Sequence, residues 1–158
     1  MYNQKGEIKE FEEKVVQINR VSKKTKGGNK RGFSVVVVIG DKKGRVGVGL
    51  GQAPEVVSAV RKATSYGRKH LILVPLLGTT IPHQVRLKLG AAEVLLKPAP
   101  PGSGVIAGGA VRAVVELAGI RDISSKVLGT KNQASNVYAT LEGLRRLRPL
   151  KEEKIEKE

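Results

Sequence analysis

The sequence predicts an α+β fold: a β-β-β-α unit followed by a second, two-layer α/β unit. Three observations carry this. Residues 33–40, Phe-Ser-Val-Val-Val-Val-Ile-Gly, form a β-branched run that suits a strand. After Pro54, the residues Val56, Val60, Ala63 and Gly67 recur at helical spacing. Beyond Pro75 the pattern begins again, with strands and then helices.

In order along the chain, residues 16–20 alternate and read as a strand leading into a basic stretch. That stretch, residues 20–31, contains Gly27 and Gly28 and is expected to be a flexible loop. The run 33–40 is the second strand, and Asp41-Lys-Lys-Gly44 is a turn in which glycine supplies a positive φ. Residues 45–51 return as the third strand, with Gly47, Gly49 and Gly51 on one face. Such a bare face weakens a sheet unless another surface must come close to the backbone. Pro54 and Glu55 suit the first turn of a helix. The apolar run 71–77, broken by Pro75, marks a boundary. Residues 84–89 and 93–97 are strands around a Gly90 turn. A glycine- and proline-rich loop over 98–109 leads to a helix over 110–118 that ends at Gly119. Residues 120–126 are extended, and a last helix runs over 133–148 and stops before Pro149. The expected organisation is an extension (1–10), two small domains in tandem (11–74 and 75–149), and a charged tail (150–158) that frays.

Twenty-nine Lys+Arg against 14 Asp+Glu give a net charge of +15 on 158 residues. That excess points to a polyanionic partner, nucleic acid or an anionic membrane surface. With 40% hydrophobic residues a folded core is feasible, and the absence of cysteine excludes disulfides and thiolate metal sites. No apolar run approaches the ~18 residues of a membrane span, and the start lacks the apolar region of a signal peptide. A soluble, basic, intracellular protein is expected. The charge is densest at Arg20, Lys23, Lys24, Lys26, Lys30 and Arg31, which stand with no acid among them. A stretch that excludes acids so completely suits a held anion.

Enzyme readings fail on chemistry. Residues 47–51 before a helix imitate a dinucleotide loop but depart from G-x-G-x-x-G, and no acid occurs between Glu55 and Glu93 to hold a ribose. Residues 102–109 make a better phosphate cradle, yet they lack the Lys-Ser/Thr of a nucleotide loop and an acid to hold magnesium. They read instead as a tight backbone crossing or a protein contact. His70 and His83 have no evident catalytic partner, and two histidines without cysteines make a poor metal site. No cofactor is expected. Residues 31–38 start like an RNP1 signature, but Val35 and Val38 occupy the positions of its other aromatics. With 3% aromatic residues, base stacking gives way to recognition of phosphate by charge and shape, which suits folded, double-stranded RNA.

Four segments in order carry a family likeness: residues 20–28, residues 37–49, residues 78–83 (Gly-Thr-Thr-Ile-Pro-His), and residues 102–109 followed by Arg112. Together they closely resemble the bacterial form of small ribosomal subunit protein five, over about residues 11–147. The resemblance implies a first domain similar to double-stranded-RNA-binding domains and a second with a left-handed βαβ crossover, against the usual hand. It implies a structural, non-enzymatic component of the small ribosomal subunit, in the cytoplasm. Such a component binds small-subunit ribosomal RNA, braces head against body and contributes to translational accuracy. Implied partners are small-subunit proteins four and eight and, with proteins three and four, the path by which messenger RNA enters. Residues 21–28 match the segment bordering the spectinomycin site.

The expected RNA-binding residues are Arg20, Ser22, Lys23, Lys24, Thr25, Lys26, Gly27, Gly28, Lys30, Arg31, Lys42, Lys43, Arg45, Gly47, Gly49 and Gly51. The glycine strand would let RNA backbone lie close. Gly104, Gly108, Gly109 and Arg112 are expected to face protein four. Gln52 stands where the family often has Lys, and Gln133 where it usually has Pro. The alternative reading is a free-standing double-stranded-RNA-binding regulator that uses the first domain alone.

Overall fold

The computed structural model describes residues 11–149; the expected extension over 1–10 and the tail over 150–158 lie outside them. Four strands form the first sheet in the order β1 (Glu12–Thr25), β2 (Gly28–Gly40), β3 (Arg45–Ala53) and β4 (Ile72–Leu73), all antiparallel. Helix α1 (Val56–Lys69) lies between β3 and β4. It starts after Pro54, with Glu55 as its extended cap, and ends on Arg68 and Lys69, whose charges suit the negative end of the helix dipole. The second sheet has the order β5 (Val85–Leu89), β6 (Ala92–Pro98), β8 (Ile123–Val127) and β7 (Val105–Ile106), with β7 and β8 parallel. Helix α2 (Gly109–Ala118) connects β7 to β8, and α3 (Gln133–Arg145) follows β8. Asn132 caps α3 by accepting from the Ala134 N–H, so Gln133 opens the helix without proline.

The strand pattern divides the first sheet between two cores. Val35, Val37 and Ile39 point to one face and are covered by Ala59 and Ala63 of α1. Val36 and Val38 point to the other, with Val46 and Val48, and join a cluster containing Val111, Val114, Leu117, Val137 and Leu144 from the second half. That cluster continues into Val94, Leu96 and Ile123 of the second sheet. Helices α2 and α3 therefore lie between the two sheets, and α2 buries seven of its ten residues as a consequence. The two halves, expected as two small domains in tandem, share one hydrophobic core.

Hydrogen bonds join the halves as well. The last carbonyls of a helix have no partner within it, and here the β2–β3 turn supplies two. Lys42 N–H donates to the Leu117 carbonyl at 3.0 Å and Gly44 N–H to the Ala118 carbonyl at 2.9 Å. Close approach of the turn requires Gly40, where a Cβ would collide with the Leu117 carbonyl, and Gly119, whose φ of +94° closes α2.

Candidate nucleic-acid interface

The acid-free stretch is not a loop. Strand pairing continues through Val21↔Gly32, Ser22↔Arg31, Lys23↔Lys30 and Lys24↔Asn29 to Thr25↔Gly28, leaving only Lys26 and Gly27 as the turn. This corrects the expectation of a flexible segment. The backbone donors and acceptors are satisfied across the hairpin, and the Thr25 hydroxyl donates to the Gly28 carbonyl at 2.8 Å at its tip. Strand β3 pairs with β2 only as far as Phe33↔Ala53. Beyond that point β1 and β2 form a bare two-stranded ribbon, extending roughly 14 Å from Val21 to Thr25 at ~3.4 Å per residue. Every residue from Ile18 to Arg31 is exposed.

Register assigns the charges to faces, because directly opposed residues share one. Ser22 with Arg31 and Lys24 with Asn29 lie on one face, and Lys23 with Lys30 on the other. Arg20 opposes Phe33 at the base. There the ribbon meets the start of α1 in an open cleft of about 430 Å³, lined by Lys23, Lys30, Arg31, Phe33 and Lys62 among others. The Lys62 ammonium donates to the Gln52 carbonyl at 3.2 Å, so Gln52 contributes its backbone here. The ribbon carries six cations on a narrow, exposed support, which is the form phosphate recognition by charge requires.

Lys42, Lys43 and Arg45 are not brought to this surface. They sit at the opposite end of β2, roughly 40 Å from the tip at ~3.4 Å per residue. Lys42 pairs with Glu12 at 3.1 Å, and Arg45 pairs with Asp41 at 2.8 Å and lies over the Phe11 ring at 5.0 Å. Burial disfavours the Asp41 carboxylate. The N–H groups of Lys43 and Arg45 and the Arg45 guanidinium outweigh it, and the net shift is downward. This turn serves the contact between the halves.

Gly47, Gly49 and Gly51 also have a different role from the one expected. A Cβ at Gly49 would collide with the Ala63 carbonyl, one at Gly51 with the Ala59 carbonyl, and one at Gly47 would stand 2.5 Å from the Gly67 carbonyl. The surface that approaches this backbone is α1, so RNA has no access to that face. The expectation of close approach was sound, but its partner is the protein's own helix.

In the second half, Asp122 emerges as a residue that sequence reasoning left without a role. It is 4% exposed, and its Oδ1 accepts from Gly102 N–H at 3.1 Å and Gly104 N–H at 3.0 Å. The Thr79 hydroxyl, the Gly104 and Gly102 N–H groups and the Arg121 charge lower its pKa against the cost of burial. Asp122 thereby fixes the loop that presents Gly104, where φ is +74°. Arg112 is exposed and donates to the Val105 carbonyl at 3.2 Å. Gly108 and Gly109 are exposed at the start of α2. His70 stacks on Tyr66, and His83 Nε2 accepts from Arg148 N–H at 2.9 Å. Both histidines are thus held by the fold, and no group of potential metal ligands occurs among the described residues. No helix among those residues is long and apolar enough to cross a membrane.

Comparison with known families gives two matches in chain order. Residues 11–75 match the family described as Ribosomal protein S5, N-terminal domain, and residues 87–158 match Ribosomal protein S5, C-terminal domain. The β-β-β-α sheet unit, followed by a mixed sheet with helices, is the fold those matches describe. The chain belongs to the ribosomal protein S5 family, the non-enzymatic, structural, ribosomal-RNA-binding proteins of the small ribosomal subunit.

Proposed function

We propose that the β1–β2 ribbon reaches from the body of the small subunit toward its head, and that its cations neutralise ribosomal-RNA phosphates there. The observation that carries this reading is the acid-free ribbon, exposed throughout and supported at its base by β3 and α1. A paired ribbon loses less conformational freedom on docking than a flexible loop would, so more of its electrostatic gain appears as affinity. Residues 21–28 border the spectinomycin site in this reading. The segment containing Gly104, Gly108, Gly109 and Arg112 faces small-subunit protein four and influences accuracy. Asp122 supports that role by fixing the loop, and the Arg112 guanidinium retains donors for a partner carboxylate. Protein eight is a further neighbour, and with proteins three and four the chain lines the path of incoming messenger RNA.

The test is the variant Lys23→Ala/Lys24→Ala/Lys26→Ala. Each phosphate that the variant no longer neutralises should reduce the slope of log affinity against log salt by roughly 0.7–0.9. An unchanged affinity and slope for small-subunit RNA would refute the ribbon's role.

A further inference from the structure

The second sheet is covered on one face. Val94, Leu96 and Ile123 point inward to the core cluster, and α3 packs there against β5 and β6. Side chains alternate along a strand, so the residues between these point the other way. Cross-strand register groups them: Arg86 with Leu95 and Lys126, Lys88 with Glu93, and Lys97 with Ser124. No described helix or strand lies over this outer face, and Arg86, Lys88, Lys97 and Lys126 are all exposed on it.

A sheet with one solvated face puts polar residues outward as a matter of course. The sign of the charge is what needs a cause. Four cations stand against one carboxylate, a balance of +3. Glu93 is already engaged, since its Oε1 accepts from Arg86 Nε at 2.7 Å. Lys88, Lys97 and Lys126 form no ion pair with any described residue. An ordinary surface intersperses the two signs, whereas the uncommitted charges here are all positive. The face extends roughly 14 Å from Glu93 to Lys97 at ~3.4 Å per residue, and roughly 10 Å from β5 to β8 at ~4.8 Å per strand. Leu95 at its centre is half-buried, and no aromatic side chain stands on it to receive a base. Ile106, exposed at the β7 margin, belongs to the segment proposed to face protein four.

We propose that this outer face binds the phosphate backbone of a second segment of RNA, with Lys88, Lys97 and Lys126 each neutralising a phosphate. Flat, cationic and without aromatic groups, it fits a duplex recognised by charge and shape. A protein interface of ordinary build has an apolar centre and a polar rim; here charges surround a single half-buried leucine. The proposal rests on the family's RNA-binding role but not on the basic ribbon, which belongs to the other sheet. Helices α2 and α3 separate the two sheets, so this face looks away from the first one. A chain with RNA on both the ribbon and this face ties two RNA segments together.

The test is amide NMR of the full chain, titrated with an RNA duplex and separately with a blocked polyglutamate peptide. The duplex has roughly 16 base pairs, the length one double-stranded-RNA-binding domain spans. It should shift the amides of Arg86, Lys88, Lys97 and Lys126, and should do so equally in the variant Lys23→Ala/Lys24→Ala/Lys26→Ala. Lys126→Gln should weaken binding at these amides and lower its log–log salt slope by roughly 0.7–0.9. Lys88→Gln/Lys97→Gln/Lys126→Gln should abolish the shifts at this face and spare those of residues 23–30. Absence of shifts at the four amides overturns the proposal, whatever the ribbon does. Shifts that survive both lysine-to-glutamine variants unaltered overturn it as well. A peptide that binds the face more tightly than the duplex overturns it and assigns the face to an acidic protein. A ribbon that fails to respond while the face responds counts against the ribbon reading and supports this one.

Discussion

Lys23 and Lys30 stand directly opposite each other across the β1–β2 ribbon, on the face away from Arg31 and Lys24. Like charges at directly opposed positions destabilise an antiparallel pair, and the ribbon has no acid to relieve them. The free protein bears that repulsion, and a bound phosphate removes it. Lys30→Gln should therefore stabilise the isolated chain by about 0.2–1 kcal/mol. The same change should weaken RNA binding and flatten its salt dependence by roughly 0.7–0.9 in log–log slope. Urea unfolding and RNA titration at several salt concentrations measure the two effects, which must have opposite signs.

Gly49→Ala tests which surface uses the glycine strand. The added methyl would meet the Ala63 carbonyl within α1, and forcing helix and sheet apart should cost about 1–3 kcal/mol or more. RNA affinity of the remaining folded protein should be unchanged. A stable variant with weakened RNA binding would restore the reading in which RNA approaches this strand.

A fragment ending at residue 75 should not fold cooperatively. It would expose Val36, Val38, Val46 and Val48, each at most 2% exposed in the whole chain, at roughly 1.5 kcal/mol or more apiece. It would also strand the N–H groups of Lys42 and Gly44, which donate to α2. Binding of a hydrophobic dye and a broad thermal transition are the expected signs. A sharp two-state transition would show that the first half is self-sufficient.

Acid should release the Asp122 lock. Its folded pKa lies below the ordinary 3.8 because the Thr79 hydroxyl, the Gly104 and Gly102 N–H groups and Arg121 favour the carboxylate over the cost of burial. A lowered folded pKa means the stabilisation is fully present above the ordinary value and is lost as pH falls through the folded one. Asp122→Asn should therefore be less stable than the parent at neutral pH. The gap should stay constant down to about pH 5 and close below 3.8. Urea midpoints of the two proteins across pH give the comparison, and a gap that does not depend on pH would show that the charge is immaterial.

If Arg112 faces protein four as proposed, Arg112→Glu should loosen that contact and raise misreading, since the exposed guanidinium would be replaced by a charge that repels a carboxylate. A misreading reporter in cells carrying the variant reads this directly, and unchanged fidelity would remove Arg112 from the interface.

Much of the architecture is legible in local sequence. The β-branched run that became β2, the Asp41–Gly44 turn with Gly44 at φ +101°, and the end of α2 at Gly119 follow from strand propensity and positive-φ geometry. The cationic surface was legible too, since six bases without an acid are a property of composition. Its form was not. Whether residues 20–31 make a loop or a ribbon depends on cross-strand pairing, and Val21 finds Gly32 only when both strands are in place.

The sequence by itself determined most of the elements, the charge and the family, because propensity, turn chemistry and motif order reside in neighbouring residues. The tertiary structure alone decided what the glycine strand touches, why α2 is buried on both sides, and which loop Asp122 holds. Each of these is a contact between segments far apart in the chain: Gly49 against Ala63, Gly40 against Leu117, Gly104 against Asp122. A spacing pattern shows that a backbone must be approached closely, but only the packed fold determines which surface approaches it.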